Sequence, residues 1–127
     1  MMKYDSSLNV DNENNKAKVL VVASEFNLGD IVKHKIYQFR GVIVDIDPEF
    51  SNTDEWYESI PEDKRPKKDQ PFYHLLAENS ETFYSAYVSQ QNLILDAESG
   101  PVNHPDIDHV FSDVFNGRYV LKSSSIN

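Results

Sequence analysis

Two short groups of cations carry the chemistry most available to a partner. The first is His34, Lys35 and Arg40; the second is Lys64, Arg65, Lys67 and Lys68. Ammonium and guanidinium groups at this density can hold phosphate or carboxylate oxygens. A basic run such as Lys64 to Lys68 serves equally well as a solvated loop tip, and composition alone does not separate the two uses. Sharper chemistries fail on spacing. Asp45, Asp47 and Glu49 alternate as in a calcium loop, but Phe50 stands where that loop needs glycine and Trp56 where it needs a bidentate glutamate. His34, His74, His104 and His109 show no metalloprotease spacing, and there is no phosphate-binding glycine loop, nucleophile elbow or nucleophile with a paired base. The expectation is therefore no catalytic residue, no metal site and no cofactor.

The elements that must position these cations begin with Asp30 to Phe50. Counting from Gly41, Val42, Val44 and Ile46 fall on one side of an extended chain and Ile43, Asp45 and Asp47 on the other, the period-2 pattern of a half-buried strand. Ile31 to His34 precedes it, so the pair is predicted to be an antiparallel hairpin, with Gly41 at a bulge or a close backbone approach. Asp47-Pro48 ends the strand. Four prolines, Pro48, Pro61, Pro66 and Pro71, then fall within 24 residues and mark a long loop. Trp56, with Tyr57 and Ile60, is its expected anchor, on a short helical turn capped by Thr53 or Asp54.

Phe72 to Ala77 and Thr82 to Ser89 read as a second hairpin turning at Asn79-Ser80. Phe72, His74 and Leu76 share a face, which makes His74 more plausible as a hydrogen-bonded structural side chain than as a catalyst. Tyr84, Ala86 and Val88 alternate with Phe83 and Tyr87, leaving open which face is buried. One helical turn from Gln90 and a closing strand over Leu93 to Leu95 follow. Ile107, Val110, Phe111, Val114 and Phe115 fit the stripe of an amphipathic helix stopped by Asn116-Gly117. That stripe packs on the sheet or joins copies of the chain in a homo-oligomer. Gly117 to Val120 reads as a short edge strand.

The chain of 127 residues is long enough for one domain with its own core. Residues 1–18 are read as a disordered leader and residues 19–127 as the domain. Absence of cysteine excludes disulfides, thiolate metal sites and a cysteine nucleophile. The longest apolar run, Val19 to Ala23, is far short of the roughly 20 residues of a membrane span. A cytoplasmic protein with no membrane contact is expected. Its net charge is -9, and from Val19 onward 9 Lys and Arg face 18 Asp and Glu. Long-range electrostatics thus oppose nucleic acid, and phosphate contact would need a local patch.

A set of short motifs in fixed order carries a family resemblance: His34-Lys35, Tyr37, Arg40-Gly41-Val42, Asp47-Pro48, Trp56, Pro66, Gln70-Pro71-Phe72-Tyr73-His74, Tyr87-Val88, Gln91-Asn92-Leu93, His104-Pro105 and Gly117-Arg118-Tyr119. Over Phe26 to Tyr119 the chain resembles the YccV-like family, also called the hemimethylated DNA-binding domain, whose bacterial members include the heat shock protein HspQ. The long loop and the distal motifs are more like the domain as it occurs in longer proteins. The resemblance implies a mostly β fold, a small SH3-like barrel, here with a long Pro-rich loop and a short C-terminal amphipathic helix, and no enzymatic chemistry. It also implies two roles. One is a stress-response factor acting with the Lon protease or its substrates through protein contact; the other is binding of double-stranded, hemimethylated DNA. A DNA role would ask Lys33, Lys35, Arg40, Lys64, Arg65, Lys67 and Lys68 to reach phosphates and Tyr37, Phe39 or Trp56 to lie near bases.

Overall fold

A computed structural model describes residues 24–122, so the expected leader and the apolar run Val19 to Ala23 lie outside the described residues. Five antiparallel strands form one sheet in the order β4-β3-β2-β1-β5. They are β1 (Ile31–His34), β2 (Arg40–Asp47), β3 (Phe72–Glu78), β4 (Phe83–Ser89) and β5 (Leu93–Leu95). A 3-10 turn at Gln90–Asn92 joins the last two, as the sequence indicated. Two short helices, α1 (Asp54–Glu58) and α2 (Ile107–Val110), and a separate hairpin of β6 (Phe111–Phe115) and β7 (Arg118–Leu121) complete the fold. The mostly β, antiparallel character expected from the sequence is present. Because β4 and β5 are opposite edges and do not pair with each other, the sheet among the described residues is open rather than closed into a barrel.

The sheet is covered on both faces at its centre, which corrects the one-wet-face reading of β2. Val42 and Ile43 are both 0% exposed. Ile43 packs with Val32, Tyr73, Leu75, Val88 and Leu93 on one face; Val42 packs with Ile31, Leu76, Val102, Ile107, Phe111 and Tyr119 on the other. A bulge at Val44 causes the second departure. Ile43 pairs with Leu75, but Asp45, not Val44, pairs with His74, and Ile46 then pairs with Tyr73. One inserted residue shifts all that follows by one pleat. Ile46 therefore joins the face of Ile43 instead of that of Val42, and Asp45 stays out of the core. Gly41 is a close backbone approach, since a Cβ there would lie 2.8 Å from the Leu76 carbonyl oxygen.

The amphipathic helix expected over Ile107 to Phe115 is one helical turn followed by a strand. Asn116 and Gly117 both take positive φ, 54° and 77°, the backbone of a two-residue hairpin turn rather than of a helix stop. Ile107 and Phe111 still bury against the sheet, so the stripe mostly packs inward, while Phe115 is 68% exposed. Tyr119 N–H donates to the Gly29 carbonyl at 2.9 Å, and the Arg118 Nε–H donates to the buried Asp30 carboxylate at 2.7 Å, tying this hairpin to the start of β1. Among the described residues no helix is long and apolar enough to cross a membrane.

Candidate functional site

The β1–β2 loop is organised by its own histidine. His34 Nδ1 accepts hydrogen bonds from the amides of Ile36 and Tyr37, both at 3.0 Å, and its ring lies against Tyr37 and Phe39 with centroids 4.8 and 5.1 Å away. An imidazole nitrogen that accepts twice must be unprotonated. Burial agrees, holding the His34 pKa below its ordinary 6.5. Because the folded value is depressed, the loop-stabilising contribution is complete above pH 6.5 and is lost as pH falls through the folded pKa. Amide exchange at Ile36 and Tyr37 is expected to accelerate severalfold between pH 7.5 and pH 5 relative to core amides after correction for intrinsic rates. Unchanged relative protection across that range would refute this role.

The long loop is pinned by aromatic packing, as expected for Trp56. Thr53 caps α1, its Oγ1 accepting from the Trp56 amide at 3.0 Å. Phe50 lies edge-on to Phe72 and Tyr57, Trp56 lies edge-on to Tyr87, and Tyr87 stacks on the fully buried Phe72 at 5.2 Å. The Tyr87 hydroxyl donates to Asp47 Oδ2 at 2.8 Å and accepts from the Ser51 amide. Burial first, and the Asp47 carboxylate after it, push its pKa up. His74 Nε2 meets the same Asp47 oxygen at 3.1 Å, a hydrogen-bonded position as the sequence suggested. Gln70 and Gln91 bond each other, and Gln90 Oε1 accepts from the Tyr73 hydroxyl. Of the motif residues that carried the family resemblance, Asp47, Trp56, Gln70, Phe72, Tyr87 and Gln91 thus form the scaffold that docks the loop.

Docked this way, the loop meets the β1–β2 loop across β4. A groove of about 400 Å³ runs between them, lined on one side by His34, Tyr37 and Phe39, on the other by Trp56, Ile60, Pro61, Lys64 and Pro66, and floored by Tyr84, Ala86 and Val88. Among the described residues β4 is a sheet edge whose outer backbone groups pair with no other strand. His34, Tyr37 and Phe39 also wall a second, open hollow of about 590 Å³ that holds Lys33, Lys35 and Arg40. Tyr37 is 53% exposed and Ile36 71%.

The sequence candidates divide by what they already hold. Lys33, Lys35 and Tyr37 lie around the open hollow, and Tyr37, Trp56 and Lys64 line the groove. Lys67 is exposed on the loop. Arg40 is committed inward: its Nε donates to Asp96 at 2.9 Å, one terminal nitrogen bonds Glu78 and the Pro101 carbonyl, and the other bonds the Gly100 carbonyl. Arg65 bonds the carbonyls of Ile60 and Glu58, and Lys68 sits 4.5 Å from the centroid of the Tyr57 ring. Lys35, Lys64 and Lys67 make no ion pair among the described residues. Missing from the sequence candidates were the groove's apolar linings, Ile60, Pro61, Tyr84 and Ala86, and the exposed Ile36 on the adjoining rim. The available signal was an apolar pair, Ile36-Tyr37, stranded between charged residues.

No solved structure matches the chain. It is similar to F-box only protein 21 of Homo sapiens and of Pongo abelii, 32% identical over 102 residues in each, and to that of Mus musculus at 31%. These stretches cover 80% of this chain but 16% of each relative, so the chain spans about one sixth of the length of the curated relatives it matches. The family profile described as "Hemimethylated DNA-binding protein YccV like" matches residues 24–118, which include both walls of the groove, and the chain belongs to that YccV-like family.

Proposed function

We propose that this domain is a non-enzymatic binding module whose partner is a protein segment, held extended in the groove along the β4 edge. The observation that carries the reading is the groove itself, with an apolar floor and walls beside a strand edge paired with no other strand among the described residues. Such an edge offers main-chain hydrogen bonds for affinity, and the aromatic walls offer pockets for alternate side chains. A net charge of -9 does not oppose a peptide as it opposes a polyanion. Relatives that carry the matching stretch as a small part of a much longer chain also suit a module that works by contact. The finer reading is a cytoplasmic, heat-shock-related factor that acts with the Lon protease or its substrates. Lon-dependent turnover of a model substrate is expected to change severalfold when the protein is added, and the double variant Ile36→Ser, Tyr37→Ser is expected to lose most of that effect. Equal turnover with and without the protein, together with no co-purification, would refute it.

A second reading has its own support. Lys33, Lys35 and Lys64 surround the surface that also presents Tyr37 and Trp56, and the family is described by hemimethylated DNA binding. Titration of methylated, hemimethylated and unmethylated duplexes at several salt concentrations tests it. Hemimethylated DNA should bind tightest, and Lys35→Glu with Lys64→Glu should reduce the salt slope by about 2. No binding, or equal binding to all three that moderate salt abolishes, excludes this reading.

A further inference from the structure

The bulge in β2 gathers a set of donors that no part of the groove uses. With regular pairing Val44 would stand opposite His74 and Asp45 opposite Tyr73, a residue 0% exposed. The extra residue instead sets Asp45 opposite His74, on the same face as Asp47 and exposed to solvent. One carboxylate oxygen from each aspartate and one His74 nitrogen then lie within 4.8 Å of one another. Bulges recur where a side chain must be re-aimed, and here the re-aimed side chain is a ligand type.

We propose that Asp45, Asp47 and His74 bind one divalent first-row transition-metal ion, with Zn²⁺ as its representative. Metal–ligand bonds of about 2.0–2.1 Å place tetrahedral ligands about 3.4 Å apart. His74 Nε2 and Asp47 Oδ2, at 3.1 Å, already stand at that spacing. Asp45 is exposed, and its one side-chain hydrogen bond among the described residues is local, from the Ile46 amide, so its carboxylate can close the remaining gap. The Tyr87 hydroxyl bonded to Asp47 fixes one ligand, as the outer partners of metal carboxylates do. One imidazole with two carboxylates suits Zn²⁺ or a neighbour in the series, whereas Mg²⁺ and Ca²⁺ take oxygen donors. Three protein ligands leave at least one coordination position for water or an incoming anion. The proposal is independent of which partner occupies the groove.

Calorimetric titration of the full chain with ZnCl₂ at pH 7.5 in a non-chelating buffer should give one saturable site per chain, and Zn²⁺ should raise the unfolding temperature. Asp45→Asn retains the acceptor oxygen for the Ile46 amide and should bind at least tenfold more weakly, with no thermal shift. His74→Gln should do the same, with circular dichroism confirming its fold. His109→Gln removes the exposed imidazole that lies 3.6 Å from Asp106 and should bind as the unsubstituted chain does. No saturable binding, binding unaffected by Asp45→Asn, or binding displaced by equimolar Mg²⁺ overturns the assignment.

Discussion

Replacing Arg40 by alanine is expected to destabilise the domain by about 3–5 kcal/mol, the usual cost of removing one partner from a buried ion pair. Arg40 joins β2 to Glu78 on β3, to Asp96 just beyond β5, and to the carbonyls of Gly100 and Pro101 in the segment that leads to α2. Its side chain is 17% exposed and that of Asp96 8%, so water replaces little of what is lost. For a chain of this size the midpoint of thermal unfolding should fall by on the order of 10 °C. Arg40→Lys keeps the charge but not the planar fork and should recover only part of the loss. The pH dependence has a definite sign. Burial raises the Asp96 pKa, but the Ser99 hydroxyl and the Arg40 guanidinium more than offset this and hold it below 3.8. The carboxylate's contribution is therefore present above pH 3.8 and disappears as pH falls through the depressed value. The gap between the two proteins should narrow below about pH 4, where protonation relieves the stranded charge. A midpoint for Arg40→Ala within about 2 °C of the unsubstituted chain would refute the clamp.

Phe72→Ala should cost a comparable amount, about 3–5 kcal/mol, but through a different route. Phe72 is 0% exposed and belongs to neither central cluster; it lies under Tyr87 and Phe50 and so supports the whole long loop. Its removal leaves a void that the loop cannot fill without shifting Trp56, which rests on both Phe50 and Tyr87. Trp56 is the chain's single tryptophan, so its fluorescence reports on this region alone. Red-shifted emission and stronger acrylamide quenching are expected at temperatures where circular dichroism shows the sheet intact. Emission unchanged in a folded Phe72→Ala protein would show that the loop docks without this ring. Binding to any partner in the groove should fall with it, because the loop forms one wall.

Much of the sheet was legible because local signals agreed. Period-2 alternation, Asp47-Pro48, Asn79-Ser80 and the Gln90 turn each pointed to the strand limits that form. The bulge was not legible, since Val44 and Ile46 are both apolar and only pairing with β3 decides that they pack on opposite faces of the sheet. Asn116-Gly117 suits a helix stop and a hairpin turn alike, and the spacing Ile107, Val110, Phe111 favoured the helix until Tyr119 and Leu121 supplied a strand partner. The site was half legible for a related reason. Charge can be read from a sequence, but whether a cation is free depends on partners far away in the chain: Arg40 finds Glu78 and Asp96 at separations of 38 and 56 residues. Among the described residues the fold brings no such ion-pair partner to Lys35 or Lys64.

The contact of Gly29 and Asp30 with Arg118 and Tyr119 has a bearing on how the domain is made. Asp30 and Arg118 are 88 positions apart, and a Cβ on Gly29, which has a φ of +89°, would lie 2.2 Å from the Tyr119 carbonyl oxygen. Sheet formation among β1 to β5 can begin as soon as those strands leave the ribosome, but Ile31, Val42 and Leu76 stay uncovered until Val102 to Tyr119 has been synthesised. Closure over so long a separation is entropically slow and comes after the local hairpins. Val102 to Tyr119, translated after the sheet strands, therefore converts a nascent sheet with an adhesive apolar face into a finished domain, and a chain stalled or clipped before this stretch would present that face instead.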